Sequence, residues 1–289
     1  MTEMFCYQCQ ETMKNSGCTR RGMCGKSAEV SRLQDLLIYL LKGISFWGTR
    51  GRNMGVTNDE TDLFVAKALF STITNANFDS DRYVAFIQEA IDRRDDLRKR
   101  AQTRCNELHN SNCNGSGPDW AGWHPNNYEV ETLLDKGRTV GVMDDLNLNE
   151  DIRSMREVII YGLKGMAAYV DHAYLVGGRD ESVLAFMQEA LEATTNDTLG
   201  QAEMLALIQK TGEFGIKAMA LLDSSNTERY GNPQPTNVFL GVRPGKGILV
   251  SGHDLVDLEE LLQQTEGTGI NIYTHGEMLP TNAYPELKK

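Results

Sequence analysis

The sequence is short of basic charge and of long apolar runs, and each shortage excludes a class of protein. It has 29 Lys and Arg against 40 Asp and Glu, a formal net charge of -11. Such a surface repels phosphate backbones, so we expect no nucleic-acid partner. The longest apolar run covers residues 36–41, far fewer than the about 20 residues that cross a bilayer, so we expect no membrane partner. The first residues lack the basic and apolar regions of a signal peptide, so we expect a cytoplasmic protein.

Cysteine is also scarce, but its distribution is uneven. Four of the six cysteines are Cys6, Cys9, Cys18 and Cys24. Four thiolates this close together fit either a tetrahedral zinc ion or an iron–sulfur cluster. Structural zinc sites commonly have two short cysteine pairs, whereas five residues separate Cys18 from Cys24. The spacing therefore favours a cluster, and zinc or unligated thiols remain open alternatives.

The other two cysteines lie near a segment rich in Asn, Ser and Gly. We expect Cys105 and Cys113 to be dispensable free thiols, because the cytoplasm keeps thiols reduced and no plausible metal ligand accompanies them. A zinc site built from these two cysteines with His109 and His124 is a weaker alternative, since its spacing is loose. His172 follows a helical run, and we expect it to face solvent.

Apolar periodicity predicts three helices after the cysteine-rich start, which we take as a separate segment over residues 1–27. Apolar residues recur at spacings of three and four over residues 28–47, as on one face of a helix. Further helices are predicted over residues 61–74 and 81–108. Residues 110–149 follow them, and the first part of this stretch, residues 110–118, has the composition of a loop.

The helical pattern recurs later in the chain. Residues 37–43 resemble residues 159–165, and other blocks match in nearly the same register. We interpret this as an internal duplication, with two three-helix bundles over about 28–110 and 150–225 in one helical domain, residues 28–225. The alternative is that amphipathic helices resemble one another by chance.

The last part of the chain, residues 226–289, changes character. Short buried strands are predicted over residues 238–240, 247–250 and 270–273, with a helix over 254–264 before the last strand. This order indicates a parallel β-α-β unit. One crossover cannot cover both faces of a parallel sheet, so we expect the chain to end inside a domain.

Polar side chains follow two of these strands. His253 and Glu277 each come just after a predicted strand, at the carboxyl end where α/β folds gather ligands. An imidazole and a carboxylate would form a partial transition-metal site. The alternative is that Asp254 caps the helix, His253 is an ordinary polar residue and His275 begins a turn.

Several of these motifs resemble the hybrid cluster proteins, a family also called prismane proteins or hydroxylamine reductases. The resemblance covers nearly the whole chain and implies a mainly α fold with a partial α/β domain. Two three-helix bundles, related by internal duplication, would precede the start of a Rossmann-like domain. The segments that carry the resemblance include residues 5–12, 17–19, 22–26, 230–233, 248–254, 264–269 and 273–280.

The resemblance also implies cofactors and their ligands. The four N-terminal cysteines would hold a cubane [4Fe-4S] cluster. His253 and Glu277 would be the first two protein ligands of a hybrid [4Fe-2O-2S]-type cluster. The remaining ligands of that cluster are absent from this sequence, so we expect a complete hybrid site only when a second half is supplied.

The activity that the resemblance implies is an oxidoreductase for small nitrogen–oxygen compounds. The substrate would be hydroxylamine, reduced to ammonia, or nitric oxide, reduced to nitrous oxide, with the cubane relaying electrons from an electron-donor protein. One rival is a non-catalytic electron-transfer or redox-sensing module that carries only the cubane. Another is a helical protein with structural zinc.

Overall fold

Helices form most of the structure, a computed structural model that describes residues 3–110, 113–144 and 146–288. The chain divides into two units. Unit 1 comprises Met1–Ala168 and Asp180–Lys217, and unit 2 comprises Tyr169–Arg179 and Ala218–Lys289. None of the helices in the described ranges combines the length and hydropathy that a bilayer span requires.

The long helices come in pairs of equal length. α1 and α5 have 26 residues each, α2 and α6 have 13, and α3 and α7 have 30. This pairing is what an internal duplication would produce, and the mainly α fold with a partial α/β part is confirmed. The bounds are α1 Ala28–Asn53, α2 Asp59–Ser71, α3 Ser80–His109, α4 Val130–Gly137, α5 Glu150–Leu175, α6 Glu181–Ala193, α7 Gln201–Tyr230 and α8 Leu255–Thr265.

The apolar face predicted for α1 forms the core of unit 1. The helix begins where the Ser27 side chain accepts a hydrogen bond from the backbone N–H of Val30, at 3.1 Å. Six of its apolar side chains are fully buried: Leu33, Leu36, Leu37, Leu40, Leu41 and Ile44. α1 packs against α3, α4 and α6, so it is the central helix of this unit.

The segment between the two sets of helices is more ordered than its composition suggests. It contains α4, which the sequence reasoning missed, and whose Leu133 and Leu134 are buried. The Trp47 indole N–H donates to the carbonyl of Ala121 at 2.9 Å. At Gly43 of α1, a Cβ atom would lie 2.1 Å from the Trp120 carbonyl oxygen, so glycine there allows the segment to pack directly on the helix.

Unit 2 contains the predicted β-α-β unit. β1 (Gly247–Ser251) and β2 (Asn271–His275) are parallel neighbours, and Ser251 pairs in register with His275. α8 lies between them in sequence, and the Asp254 side chain caps it by accepting from the backbone N–H groups of Val256 and Asp257.

Two details of the strand prediction were wrong. Residues 238–240 form no strand, because the described part of the chain offers them no neighbouring strand to pair with. The strands were also predicted to be buried, yet Leu249 of β1 is 69% exposed and Leu240 is 91% exposed. Among the described residues, no second layer covers this apolar surface.

The prediction of free thiols at Cys105 and Cys113 was also wrong, since the two form a disulfide. The left-handed conformation of Asn110 turns the chain at the end of α3. The Asn106 side chain then accepts a hydrogen bond from the backbone N–H of Cys113 at 2.7 Å, which holds the loop against the helix. The disulfide also excludes the alternative zinc site, whose His124 lies 3.0 Å from Asp95 instead.

Replacing both Cys105 and Cys113 by serine is expected to lower stability without affecting metal content. A disulfide that closes a loop this short stabilises a protein by about 2–3 kcal/mol, chiefly by restricting the unfolded chain. The free energy of unfolding in urea should fall by that amount under non-reducing conditions, whereas with dithiothreitol present the variant and the parent should unfold alike. Equal stability of the two proteins without reductant would contradict this role.

Candidate metal centres

The N-terminal cysteines lie in a tightly turned segment of unit 1, residues 3–27, here called the cysteine segment. Cys6 and Cys18 are joined by an antiparallel bridge, with N–H···O distances of 3.0 and 2.8 Å in the two directions. The chain between them must turn sharply, and Gly17 adopts a φ of 130° that other residues rarely reach. A Cβ at Gly17 would lie 2.5 Å from the Phe5 ring, so the turn packs directly against that ring.

None of the four sulfur atoms forms a disulfide, and one of them lies where a thiolate is favoured. Cys6, Cys9, Cys18 and Cys24 are all free thiols, and Cys18 is buried. Burial alone would raise the pKa of the Cys18 thiol. Hydrogen bonds from the backbone of Met13 and Met23 and from Thr12, together with the Lys26 charge, outweigh burial and hold that pKa below its ordinary value. A thiolate stabilised in this way fits a cluster or a metal ion.

The structure does not gather these side chains around a single point. Within the described ranges, no group of three or more His, Cys, Asp or Glu side chains is placed to hold one metal ion. The assignment of the four cysteines as ligands therefore stays a prediction, and its support is the donor set and the turned backbone.

A small charged cavity of about 60 Å³ lies beside Cys6. Asp35 and Lys42 of α1 line it, and so do Glu157 and Lys164 of α5. Asp35 and Glu157 are each the eighth residue of their helix, and Lys42 and Lys164 are each the fifteenth. The duplicated helices therefore place an acid and a lysine at equivalent positions.

The cysteine segment is hydrogen-bonded to α5, one of the two helices that line this cavity. The Tyr7 hydroxyl donates to the Glu157 carboxylate at 2.7 Å, and the hydroxyl of Tyr161 donates to the carbonyl of Gln8 at 3.2 Å. Burial is the largest influence on the pKa values of two charged side chains in this cavity. It raises the pKa of Asp35 to about 7 and lowers the pKa of Lys164 to about 8, despite the opposite charges nearby.

Replacing Asp35 by asparagine is expected to change how stability depends on pH. The folded-state pKa of Asp35 lies near 7, above that of the unfolded chain, so the folded protein binds the extra proton between about pH 4 and 7. Its contribution is fully present below about pH 4 and is lost as pH rises through 7. We expect the stability of the variant relative to the parent to increase from pH 4 to pH 8, by roughly 1–3 kcal/mol.

The measurement is urea unfolding at several pH values, with the parent and the variants prepared at the same metal content. Asp96→Asn is a matched control, because the Asp96 side chain is 57% exposed and should show no such trend. A constant difference between Asp35→Asn and the parent would contradict the buried-acid interpretation.

The second candidate centre lies in unit 2 and brings His253 and Glu277 together, as the strand order predicts. Each follows the carboxyl end of its strand, and the two strands are parallel neighbours. His253 Nε2 lies 3.8 Å from Glu277 Oε2, and the two side chains are 64% and 73% exposed. Two accessible donors at this separation can bind the same ligand, but two donors alone leave most of the coordination of a metal centre open.

His172 does not face solvent as expected. Its side chain is 17% exposed, and its Nδ1 lies 3.6 Å from Asp254 Oδ2. The contact with His172, ahead of the backbone hydrogen bonds of the α8 cap, holds the pKa of Asp254 below its ordinary value. Asp254 therefore caps α8, as the alternative interpretation held, and it also fixes the turn that carries His253.

Sequence reasoning missed the buried polar residues within and around the cysteine segment. Lys26, Gln34 and Lys164 are at most 5% exposed, although polar side chains are expected on the solvent face of an amphipathic helix. A usable signal was present, because Lys42 and Lys164 fall at equivalent positions of the matched blocks.

Comparison with known proteins gives a single family. Residues 4–289 match the sequence model of the Prismane/CO dehydrogenase family. The chain is 51% identical over 286 residues to a hydroxylamine reductase of Halothermothrix orenii, covering 99% of this chain and 51% of the relative. It is 52% identical over 287 residues to a hydroxylamine reductase of Parabacteroides distasonis, covering 99% of this chain and 50% of that relative. The chain thus spans about half the length of the curated relatives it matches.

Proposed function

The chain belongs to the Prismane/CO dehydrogenase family, and from this we propose that it is the cluster-binding half of an iron–sulfur oxidoreductase. The proposed substrates are small nitrogen–oxygen compounds. Hydroxylamine is the first of these, because the similar relatives are named hydroxylamine reductases. Its reduction consumes two electrons and two protons and yields ammonia and water, so the enzyme needs a protein that donates electrons.

The observation that carries the proposal is the construction of the cysteine segment. Four free thiols lie in one tightly turned segment, and the buried Cys18 receives hydrogen bonds that favour its thiolate. Cys6, Cys9, Cys18 and Cys24 would hold a [4Fe-4S] cluster, which supplies one-electron storage and relay when bound. The protein would contribute burial and hydrogen bonds to the sulfurs, which tune the reduction potential.

His253 and Glu277 would serve a different centre. We propose that they supply two ligands of the hybrid [4Fe-2O-2S]-type cluster. When bound, this cluster would offer iron atoms to which a small substrate could bind. In this chain their task is to hold an imidazole nitrogen and a carboxylate oxygen close together, at the ends of neighbouring strands. His172 and Asp254 would keep the His253 turn in place. Reduction of nitric oxide to nitrous oxide is a second activity proposed for the same centre.

A second candidate function suits the chain taken by itself. It would be an electron-transfer or redox-sensing module that carries only the [4Fe-4S] cluster. The observation that favours it is that His253 and Glu277 are largely exposed, and that in the described part of the chain no third metal-binding side chain joins them.

An optical spectrum with metal analysis of anaerobically purified chain tests the cluster proposal. We expect a brown protein with broad visible absorption and iron in place of zinc. A colourless protein containing about one zinc ion would overturn the proposal in favour of structural zinc, since zinc has a filled d shell and no redox chemistry.

A further inference from the structure

A buried lysine lies near the end of the cysteine segment. Lys26 follows Cys24 by two residues and is 1% exposed. Its Nζ donates a hydrogen bond to Gln34 Oε1 at 2.7 Å and lies 4.0 Å from Cys6 Sγ, at the outer limit of an N–H···S contact. The carbonyl of Lys26 accepts from the backbone N–H of Gly22 at 2.8 Å, which closes the turn around Cys24.

A chain of hydrogen bonds fixes the lysine in this position. The Tyr83 hydroxyl donates to the carbonyl of Ser71, so its oxygen is free to accept. Gln34 Nε2 donates to that oxygen at 2.7 Å. This orients the Gln34 amide so that its carbonyl oxygen faces Lys26. Gln34 is 5% exposed and Tyr83 is fully buried, so the ammonium is held by packed groups.

Burying an ammonium is unfavourable unless a negative charge lies close to it. The Gln34 amide is neutral and compensates only part of the lost hydration. The sulfur that lies 4.0 Å from Lys26 Nζ, Cys6 Sγ, would be a thiolate when it binds iron. A cluster at this position also gains one negative charge on reduction, which a nearby cation stabilises.

We propose that Lys26 is the electrostatic partner of the cluster at Cys6, and that its charge raises the reduction potential of the [4Fe-4S] centre. The inference rests on the proposed function, since it takes Cys6 as a ligand. It adds a positioning residue outside the ligand set. A purely structural lysine would only tie the cysteine segment to α1 and would leave the potential unchanged.

The test is a spectroscopic redox titration of the anaerobically purified chain and its variants. Lys26→Met removes the charge and keeps the length of the side chain. We expect the equilibrium constant for cluster reduction to fall at least tenfold, which is 59 mV for a one-electron couple. Lys26→Arg keeps the charge and should stay within about threefold of the parent. The effect should persist at high salt, because a buried charge is poorly screened.

Lys14→Asn is a matched control within the same segment. Lys14 is exposed and has a φ of 56°, a conformation that asparagine tolerates well. Its removal takes away the same charge from a solvated position and should leave the potential unchanged.

The outcomes separate this inference from the proposed function. If the parent chain contains no iron–sulfur cluster, both fail. If Lys26→Met assembles its cluster and titrates like the parent, the inference alone is overturned. An equal shift in Lys14→Asn would overturn it as well, because the effect would then be a general loss of charge.

A second measurement applies if Lys26→Met does not assemble a cluster. In reduced parent protein labelled with ¹⁵N at lysine, hyperfine spectroscopy should detect a weak nitrogen coupling to the cluster. The coupling should remain in Lys14→Asn and disappear in Lys26→Arg. Its absence from the parent, or its survival in Lys26→Arg, would refute the contact between Lys26 and the cluster.

Discussion

Replacing Cys9 by serine is expected to abolish the cluster. The other three cysteines cannot complete the four-thiolate set that a [4Fe-4S] cluster requires, and serine is a poor ligand for iron in such a site. Iron and sulfide should fall from about four of each per chain to near zero. The visible absorption should disappear with them.

The matched control for this variant is the double replacement of Cys105 and Cys113 by serine. It also replaces cysteine by serine, but these two sulfurs are joined in a disulfide, so the iron content should stay at the parent value. Unchanged iron and sulfide in Cys9→Ser would contradict the ligand assignment. Loss of iron from the double variant would show that the effect is not specific to the cysteine segment.

The second large effect concerns activity. The chain by itself is expected to reduce no hydroxylamine, because His253 and Glu277 are two donors and a multi-iron centre needs more. Adding a segment that corresponds to the other half of the relatives, as a longer chain or as a partner, should give turnover. In that complete protein, Glu277→Ala should remove the activity and spare the [4Fe-4S] signal, since the cysteine segment lies in a different unit.

Glu266→Ala is the control for Glu277→Ala. Glu266 is an exposed acid of the same unit, located at the end of α8, and its removal should leave turnover unchanged. Hydroxylamine reduction by the isolated chain would contradict the two-half arrangement. Full activity in Glu277→Ala would contradict the proposed role of this carboxylate.

The parts of the fold that repeat a local pattern could be predicted from the sequence. The apolar stripe of α1 and the β-α-β order each depend on the spacing of residues along one element. The matched blocks also predicted the duplication, which the equal helix lengths support. The short helix α4 was missed, because its eight residues are too few to show a clear helical period.

Contacts between distant residues were predicted less well. The short distance between His253 and Glu277 was predicted from parallel strand order alone, and the structure shows the two side chains in contact. The disulfide of Cys105 and Cys113 depends on a turn at Asn110 and on the Asn106 hydrogen bond. The burial of Lys26 depends on Gln34 and Tyr83, which belong to two different helices. No local pattern carries information of this kind.

The most direct test of the central claim is the Mössbauer spectrum, with quantified iron, of the anaerobically purified chain. The cysteine segment and the two-donor site at His253 and Glu277 together predict about four irons per chain, in the single pattern of a [4Fe-4S] cluster. On partial reduction, all of the iron signal should change together from the spectrum of the oxidised cluster to that of the reduced cluster. A chain that binds zinc in place of iron would contradict the cluster assignment. A second iron species of hybrid type in this chain alone would contradict the claim that the other centre needs a second half.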